Sequence, residues 1–163
     1  MHCDYLLING GKMSKSLGNA YLVTDLMEKG FDPLSFKMMC YTAHYRNKLN
    51  FTWEALASSQ NALLRLKEGY QKHKNGTDNI DDSLVEEYRT RFLEAINDDL
   101  NMPMAMSVVW DVIKNPNKSK KLAEILIDFD RVLGIKIEEP IYKNQEELPE
   151  DIEKIRIGHC QML

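Results

Sequence analysis

The sequence predicts a mainly α-helical chain, in which a small N-terminal lobe leads into a helical bundle. Three observations carry that prediction. Between Trp53 and Leu133 the apolar residues recur at spacings of three and four, the period of helices that each bury one stripe. Capping residues and Gly or Pro breakers divide that stretch into helix-sized pieces. The strand signal is one short apolar run near the start, Leu6-Leu7-Ile8.

Each element can be justified in turn. Leu6-Leu7-Ile8, stopped by Asn9-Gly10-Gly11, reads as a buried strand running into a turn. A lysine-bearing loop follows. A short helix is expected over residues 25–29, with Thr24 as its N-cap and Gly30 just past its end. Asp32-Pro33 opens a second helix, the carboxylate capping and the proline in the first position, where its missing N–H is no loss. Phe31 and Phe36 stand where a hydrophobic staple would put them. Met38, Met39, Cys40, Tyr41 and Ala43 make that helix apolar nearly all round, so burial on more than one side is expected.

Thr52 should cap a long third helix over residues 53–74, closed by Asn75-Gly76, with Leu56, Leu63, Leu66 and Tyr70 as its inner stripe. Val85, Tyr88, Phe92 and Ala95 repeat the pattern in a fourth helix. A fifth spans residues 102–114 and stops at Asn115-Pro116. Leu122, Ile125, Leu126, Phe129 and Leu133 line a sixth, ended by Gly134. Beyond Ile135 the periodicity fades into a polar, glutamate-rich segment. The expected division is residues 1–50 as the lobe, 51–134 as the bundle and 135–163 as a polar tail.

Composition bounds the function. The chain has 163 residues, 44% of them hydrophobic, enough for one ordinary core. No apolar run approaches membrane-spanning length, and the first residues lack a signal-peptide pattern. Three scattered cysteines argue against a disulfide framework and suit the cytoplasm. The net charge of −4 hides an asymmetry: residues 1–76 hold ten Lys/Arg against six Asp/Glu, whereas residues 77–163 hold eleven against nineteen. Phosphate or nucleic acid is expected to meet the basic half.

That half contains Lys12-Met13-Ser14-Lys15-Ser16, followed by Leu17-Gly18-Asn19. Two ammonium groups three residues apart, among small hydroxyls and flanking glycines, suit a loop that sets charge against phosphate oxygens. This string resembles the ATP loop of class I aminoacyl-tRNA synthetases. Three further blocks narrow the resemblance to cysteinyl-tRNA synthetases: Ala43-His44-Tyr45-Arg46, Leu49-Asn50-Phe51, and Asp98-Asp99-Leu100-Asn101-Met102-Pro103 with Ala105. Met1-His2 also looks like the segment just upstream of the family's loop. The resemblance runs to about residue 154.

The resemblance implies the back end of a catalytic region, a stem-contact segment and a tRNA-binding helical domain. It implies a parent enzyme that activates cysteine with ATP and Mg, then transfers it to tRNA-Cys, acting as a monomer. On the matching positions, Lys15 would bind ATP and stabilise the leaving pyrophosphate, with Lys12, Ser14 and Ser16 supporting loop closure. Arg46 and Lys48 become candidates for contact with the tRNA backbone. The family's His-x-Gly-His segment and its zinc-holding residues do not occur in this sequence, so the chain reads as a fragment, or a product begun at an internal methionine, and inactive alone. Residues 155–163 depart from the family pattern.

Each sharp reading has a plainer rival. The pairs His2-Cys3 and His159-Cys160 invite a metal, but adjacent residues in an extended chain point apart, so no metal site is expected. Arg46 could pair with a carboxylate instead of tRNA. Asp98-Asp99 could be a catalytic pair or a metal site, though the plainer reading has one of them, or Asn101, capping the next helix while the other faces solvent. Trp53 and Trp110 fall on apolar stripes and read as core. Lys72, His73 and Lys74 suit a helix C-terminus as cations. Two other functions stay open: a non-catalytic helical module for tRNA or another partner, against which the intact loop argues, and a related cysteine ligase acting on an amino sugar.

Overall fold

The structure, a computed structural model, describes residues 6–14, 18 and 20–141. It is mainly helical, as the spacing predicts. A small sheet comprises β1 (Leu6–Ile8), β2 (Gly11–Lys12) and β3 (Leu49–Phe51), ordered β2-β1-β3. The helices are α1 (Val23–Glu28), α2 (Pro33–Cys40), α3 (Trp53–Lys74), α4 (Asp82–Asn97), α5 (Met102–Lys114) and α6 (Lys120–Leu133).

β1 pairs antiparallel with β2, Leu7 opposite Lys12, and parallel with β3, Leu7 opposite Asn50. Ile8 and Phe51 are buried in a small cluster with Leu26, Met39 and Leu56. Adjacent to Met39, Met38 belongs instead to the large cluster between α3, α4, α5 and α6. α2 is therefore buried on two sides, and α3 passes from the small cluster at Leu56 to the large one at Leu63, Leu66 and Tyr70. These two helices join lobe and bundle. Lys37 and Tyr41 fasten the joint, donating to the carbonyls of Gly134 (2.9 Å) and Leu133 (2.5 Å).

Several local expectations hold. Asp32 accepts from the Leu34 N–H at the start of α2, Thr52 from the Ala55 N–H at the start of α3, and Asn101 from the Met104 N–H at the start of α5. α1 begins earlier than expected. Its N-cap is Leu22, not Thr24, because the Asp25 carboxylate reaches back to the Leu22 N–H at 2.7 Å and steadies the first turn from its third residue. Its end is a Schellman turn: Gly30, at φ +80°, donates to Met27 O and Phe31 donates to Leu26 O.

The packed core does not stop at Gly134. Ile135 and Ile137 are buried with the bundle residues, inside the stretch expected to be a polar tail. What holds them is polar, which is why hydrophobic periodicity missed it. The Asp130 carboxylate accepts from the N–H groups of Ile135 (2.7 Å) and Ile137 (2.9 Å). Lys67, itself buried on α3, donates to the carbonyls of Lys136 and Glu139, both at 2.7 Å. Burial pulls the Lys67 pKa down, opposed by the carboxylates of Asp32, Glu139 and Asp130. Asp130→Ala is expected to lower unfolding free energy by about 2–3 kcal/mol, the scale of hydrogen bonds to a charged group. Urea denaturation checks this; a loss below about 0.5 kcal/mol would mean that the segment packs without its carboxylate clasp.

His73 corrects another expectation. It is fully buried, and its Nε2 contacts the Val112 carbonyl at 3.0 Å. Burial, followed by the nearby Lys118 charge, pushes its pKa below the ordinary histidine value. It is therefore a neutral packing residue, not a cation serving the helix dipole. Below about pH 6.5 the unfolded chain takes up a proton at this position that the folded chain refuses, so stability falls on acidification. Between pH 7.5 and 5.5 the unfolding free energy from urea denaturation is expected to drop, by no more than about 1.4 kcal/mol per pH unit from this one group. His73→Gln should flatten that slope; an unchanged slope would assign it to other groups.

Candidate functional site

Lys12 is placed by the sheet. Its strand partner is Leu7, whose partner on the other side is Asn50. Residues in register across a sheet point to the same face, so Lys12, Leu7 and Asn50 lie opposite the buried face carrying Ile8 and Phe51. Lys48 is exposed just before β3. Lys12 and Asn50 thus share one side of the lobe, with about 10 Å between their backbones at ordinary strand spacing. Asn50 also braces the turn before Lys12, its Oδ1 accepting from the Gly10 N–H at 2.8 Å.

The lysine loop is anchored where it leaves and rejoins the lobe. Met13 packs against the small cluster just after Lys12. Tyr21 packs there too, edge-on to Trp53 at 5.0 Å and tilted against Phe51 at 5.7 Å. Trp53, read from the sequence as core, is half-buried, with the Lys29 ammonium 4.9 Å above its ring. Both flanks of the loop therefore rest on the same small apolar cluster. Ser14 is described; Lys15 and Ser16 lie outside the described residues, as do His2, Cys3, His159 and Cys160.

A second constellation forms where the segment after α2 meets the α4–α5 turn. The Tyr45 hydroxyl donates to Asp99 Oδ1 at 2.6 Å, and Arg46 Nε donates to the Tyr45 oxygen at 3.0 Å. Arg46 Nη2 lies 2.9 Å from Asp99 Oδ2. His44 completes the group: its Nδ1 accepts from the Arg46 N–H and its Nε2 donates to the Asp99 carbonyl at 3.0 Å, which fixes the tautomer. The Tyr45 hydrogen bond and then the Asp99 charge push the Arg46 pKa up, so the guanidinium stays charged. Arg46 thus has the carboxylate partner that was its plainer reading, and His44 and Tyr45 are half-buried beside it.

Asp99 was expected to cap a helix or to face solvent. Asn101 caps α5, while Asp99 gathers three side chains from a segment more than fifty residues away. Asp99 and Leu100 both adopt positive φ, +52° and +54°, a conformation that disfavours side chains bearing a Cβ. Asp99 tolerates it better than Leu100. The strained turn aims the carboxylate at Tyr45 and Arg46, and nothing local in the sequence signals that meeting. Among the described residues no group of three or more His, Cys, Asp or Glu side chains could hold a metal ion. No helix among them is long and apolar enough to cross a membrane.

Comparison with known proteins fits this layout. Residues 1–61 match the family model described as the class I tRNA synthetase (C) catalytic domain, and residues 91–138 match the DALR domain. The chain is 38% identical over 140 residues to cysteine–tRNA ligase 1 of Burkholderia lata, covering 85% of this chain and 29% of the relative. It is 34% identical to the cysteine–tRNA ligase of Protochlamydia amoebophila, covering 94% of this chain and 35% of that protein. It is 32% identical to that of Borreliella burgdorferi over 183 residues, covering 99% and 38% respectively. The chain thus spans about a third of the length of these relatives. With a catalytic-domain match followed in order by a DALR match, and cysteine–tRNA ligases aligned along most of its length, the chain belongs to the cysteinyl-tRNA synthetase family, as a C-terminal portion of it.

Proposed function

We propose that this chain supplies the pyrophosphate side of the ATP site and a tRNA-contacting helical region to a cysteine–tRNA ligase. The parent enzyme activates cysteine with ATP and transfers it to tRNA-Cys. The observation that carries the reading is the lysine string, lying inside the catalytic-domain match, with Met13 and Tyr21 packed against one apolar cluster. Such anchoring lets a short loop close on phosphate without moving the rest of the lobe. Lys15 stabilises negative charge on the departing pyrophosphate, while Lys12, Ser14 and Ser16 support closure. Mg accompanies ATP as its counter-ion.

Arg46 and Lys48 meet the tRNA backbone. Asp99 and Tyr45 position the Arg46 side chain while leaving much of it exposed. The lobe, bundle and tail division at residues 50 and 134 belongs to this proposal, with the bundle's packing extended to Ile137. The protein works in the cytoplasm as a monomer.

The test is cysteine-dependent ATP–pyrophosphate exchange. The 163-residue chain alone should show none, because it carries no His-x-Gly-His segment to bind adenine. A longer protein that includes that segment should show exchange with cysteine and should charge tRNA-Cys. Exchange from the pure 163-residue chain would overturn the division of labour. Exchange by the longer protein with another amino acid but not with cysteine would overturn the assignment.

A further inference from the structure

We propose that the groove between α3 and α5 is an RNA-binding surface, with Trp110 stacking an unpaired base and Arg65 and Lys114 holding the neighbouring phosphates. Ser58, Asn61 and Arg65 of α3 and Trp110 and Lys114 of α5 line a cavity of about 620 Å³. A second cavity, about 290 Å³, shares Ala62 and Trp110 with the first and continues past Thr42 and Pro103. Thr42 is two residues from His44 and Pro103 four from Asp99, so the groove leads toward the Arg46 constellation.

Three features point to an anionic, aromatic ligand. Neither cavity is lined by any carboxylate, although the chain as a whole is acidic. Arg89, Arg91, Lys121 and Lys136 each pair with Asp or Glu, whereas Arg65 and Lys114 are exposed with no ion pair among the described residues. Two unneutralised cations on opposite walls of one groove suit phosphate oxygens. Trp110 is only partly buried and lines both cavities, which gives a base a surface on which to stack, and Ser58 and Asn61 add neutral hydrogen-bonding groups.

The two cavities join through Ala62 and Trp110, and the second runs past Thr42 and Pro103 toward a further arginine. Those two facts favour a strand over a free mononucleotide. The identity of the strand, an unpaired segment of tRNA, rests on the reading of the chain as part of a tRNA-charging enzyme.

Trp53 and Trp110 are the two tryptophans, so a Trp53→Phe background makes Trp110 the sole reporter. A tRNA-Cys transcript should quench Trp110 emission. In filter binding at fixed salt, Arg65→Ala with Lys114→Ala should weaken the complex about tenfold and make the log–log salt slope shallower by roughly 1.5. Trp110→Ala should weaken binding between about fivefold and a hundredfold, with Trp110→Phe retaining most of it. The exposed cation pair serves as the test if the tryptophan variants fail to fold.

Arg46→Ala with Lys48→Ala, run in parallel, separates this inference from the reading beneath it. If that pair weakens binding while Arg65→Ala/Lys114→Ala and Trp110 emission do nothing, the groove proposal falls and the tRNA reading stands. If wild-type chain and longer protein both bind no tRNA, both fall. AMP quenching Trp110 at the same concentrations as the transcript would make this a mononucleotide site and overturn the strand. If the cation pair alters only the stability of the longer protein, the groove is an internal interface and the proposal fails.

Discussion

In the complete enzyme, Lys15→Ala is expected to slow cysteinyl-adenylate formation about a hundred- to thousandfold while barely changing ATP affinity. The argument is one of timing. In bound ATP the phosphate charge is already shared with Mg and solvent, so one ammonium more adds little. As the bond to the departing pyrophosphate breaks, negative charge grows on oxygens that a preorganised ammonium can meet without reorganisation. Removing one such contact typically costs about 2.7–4 kcal/mol of transition-state stabilisation. Lys12→Ala should do less, because Lys12 sits on β2 with its backbone paired to Leu7 and, on the proposed reading, only supports closure. Transfer from preformed adenylate to tRNA should be nearly unchanged, since pyrophosphate has left by then. Single-turnover kinetics separates these steps. A Lys15→Ala enzyme whose ATP dissociation constant rises by the whole amount, with the bound-state rate intact, would make Lys15 a ground-state anchor instead.

What the sequence revealed and what it hid divide along physical lines. Helix ends written in local chemistry were legible: Asp32-Pro33, Thr52 and Gly134 each mark a boundary found in the structure. The buried stripes were legible because a helix repeats its inner face every three or four residues. Three features were not. Ile135 and Ile137 are too few to show a period, and they are held by Asp130 and Lys67, which read as surface charges. His73 resembled a dipole-serving cation because two lysines flank it, yet the helix turns it inward. Asp99 meets Tyr45 and Arg46 only through the tertiary fold, across more than fifty residues, a meeting without a local signature. The family resemblance named both segments without saying that they touch.

Phe92→Ala is expected to lower unfolding free energy by about 3–5 kcal/mol, the usual range for removing a buried aromatic ring. Phe92 on α4 is 1% exposed, and its ring lies flat against Phe129 of α6, with centroids 4.0 Å apart and planes 11° apart. Truncation removes the contact area and leaves one face of Phe129 against a void that the surrounding helices can close only in part. Phe92→Leu should lose less, since it refills much of that space, and Leu93→Ala should stay within about 0.5 kcal/mol because Leu93 is 49% exposed. Domains of this size are stable by about 5–15 kcal/mol, so the Phe92 loss is a large part of the total. Because Asp99 lies just past the end of α4, seven residues beyond Phe92, loosening α4 should also free the carboxylate that positions Arg46. Urea denaturation followed by circular dichroism measures the first effect, and the Arg46-dependent share of tRNA binding measures the second. If Phe92→Ala cost no more than Leu93→Ala, α4 would not be packed on α6 through this ring, and the bundle described here would be wrong at its centre.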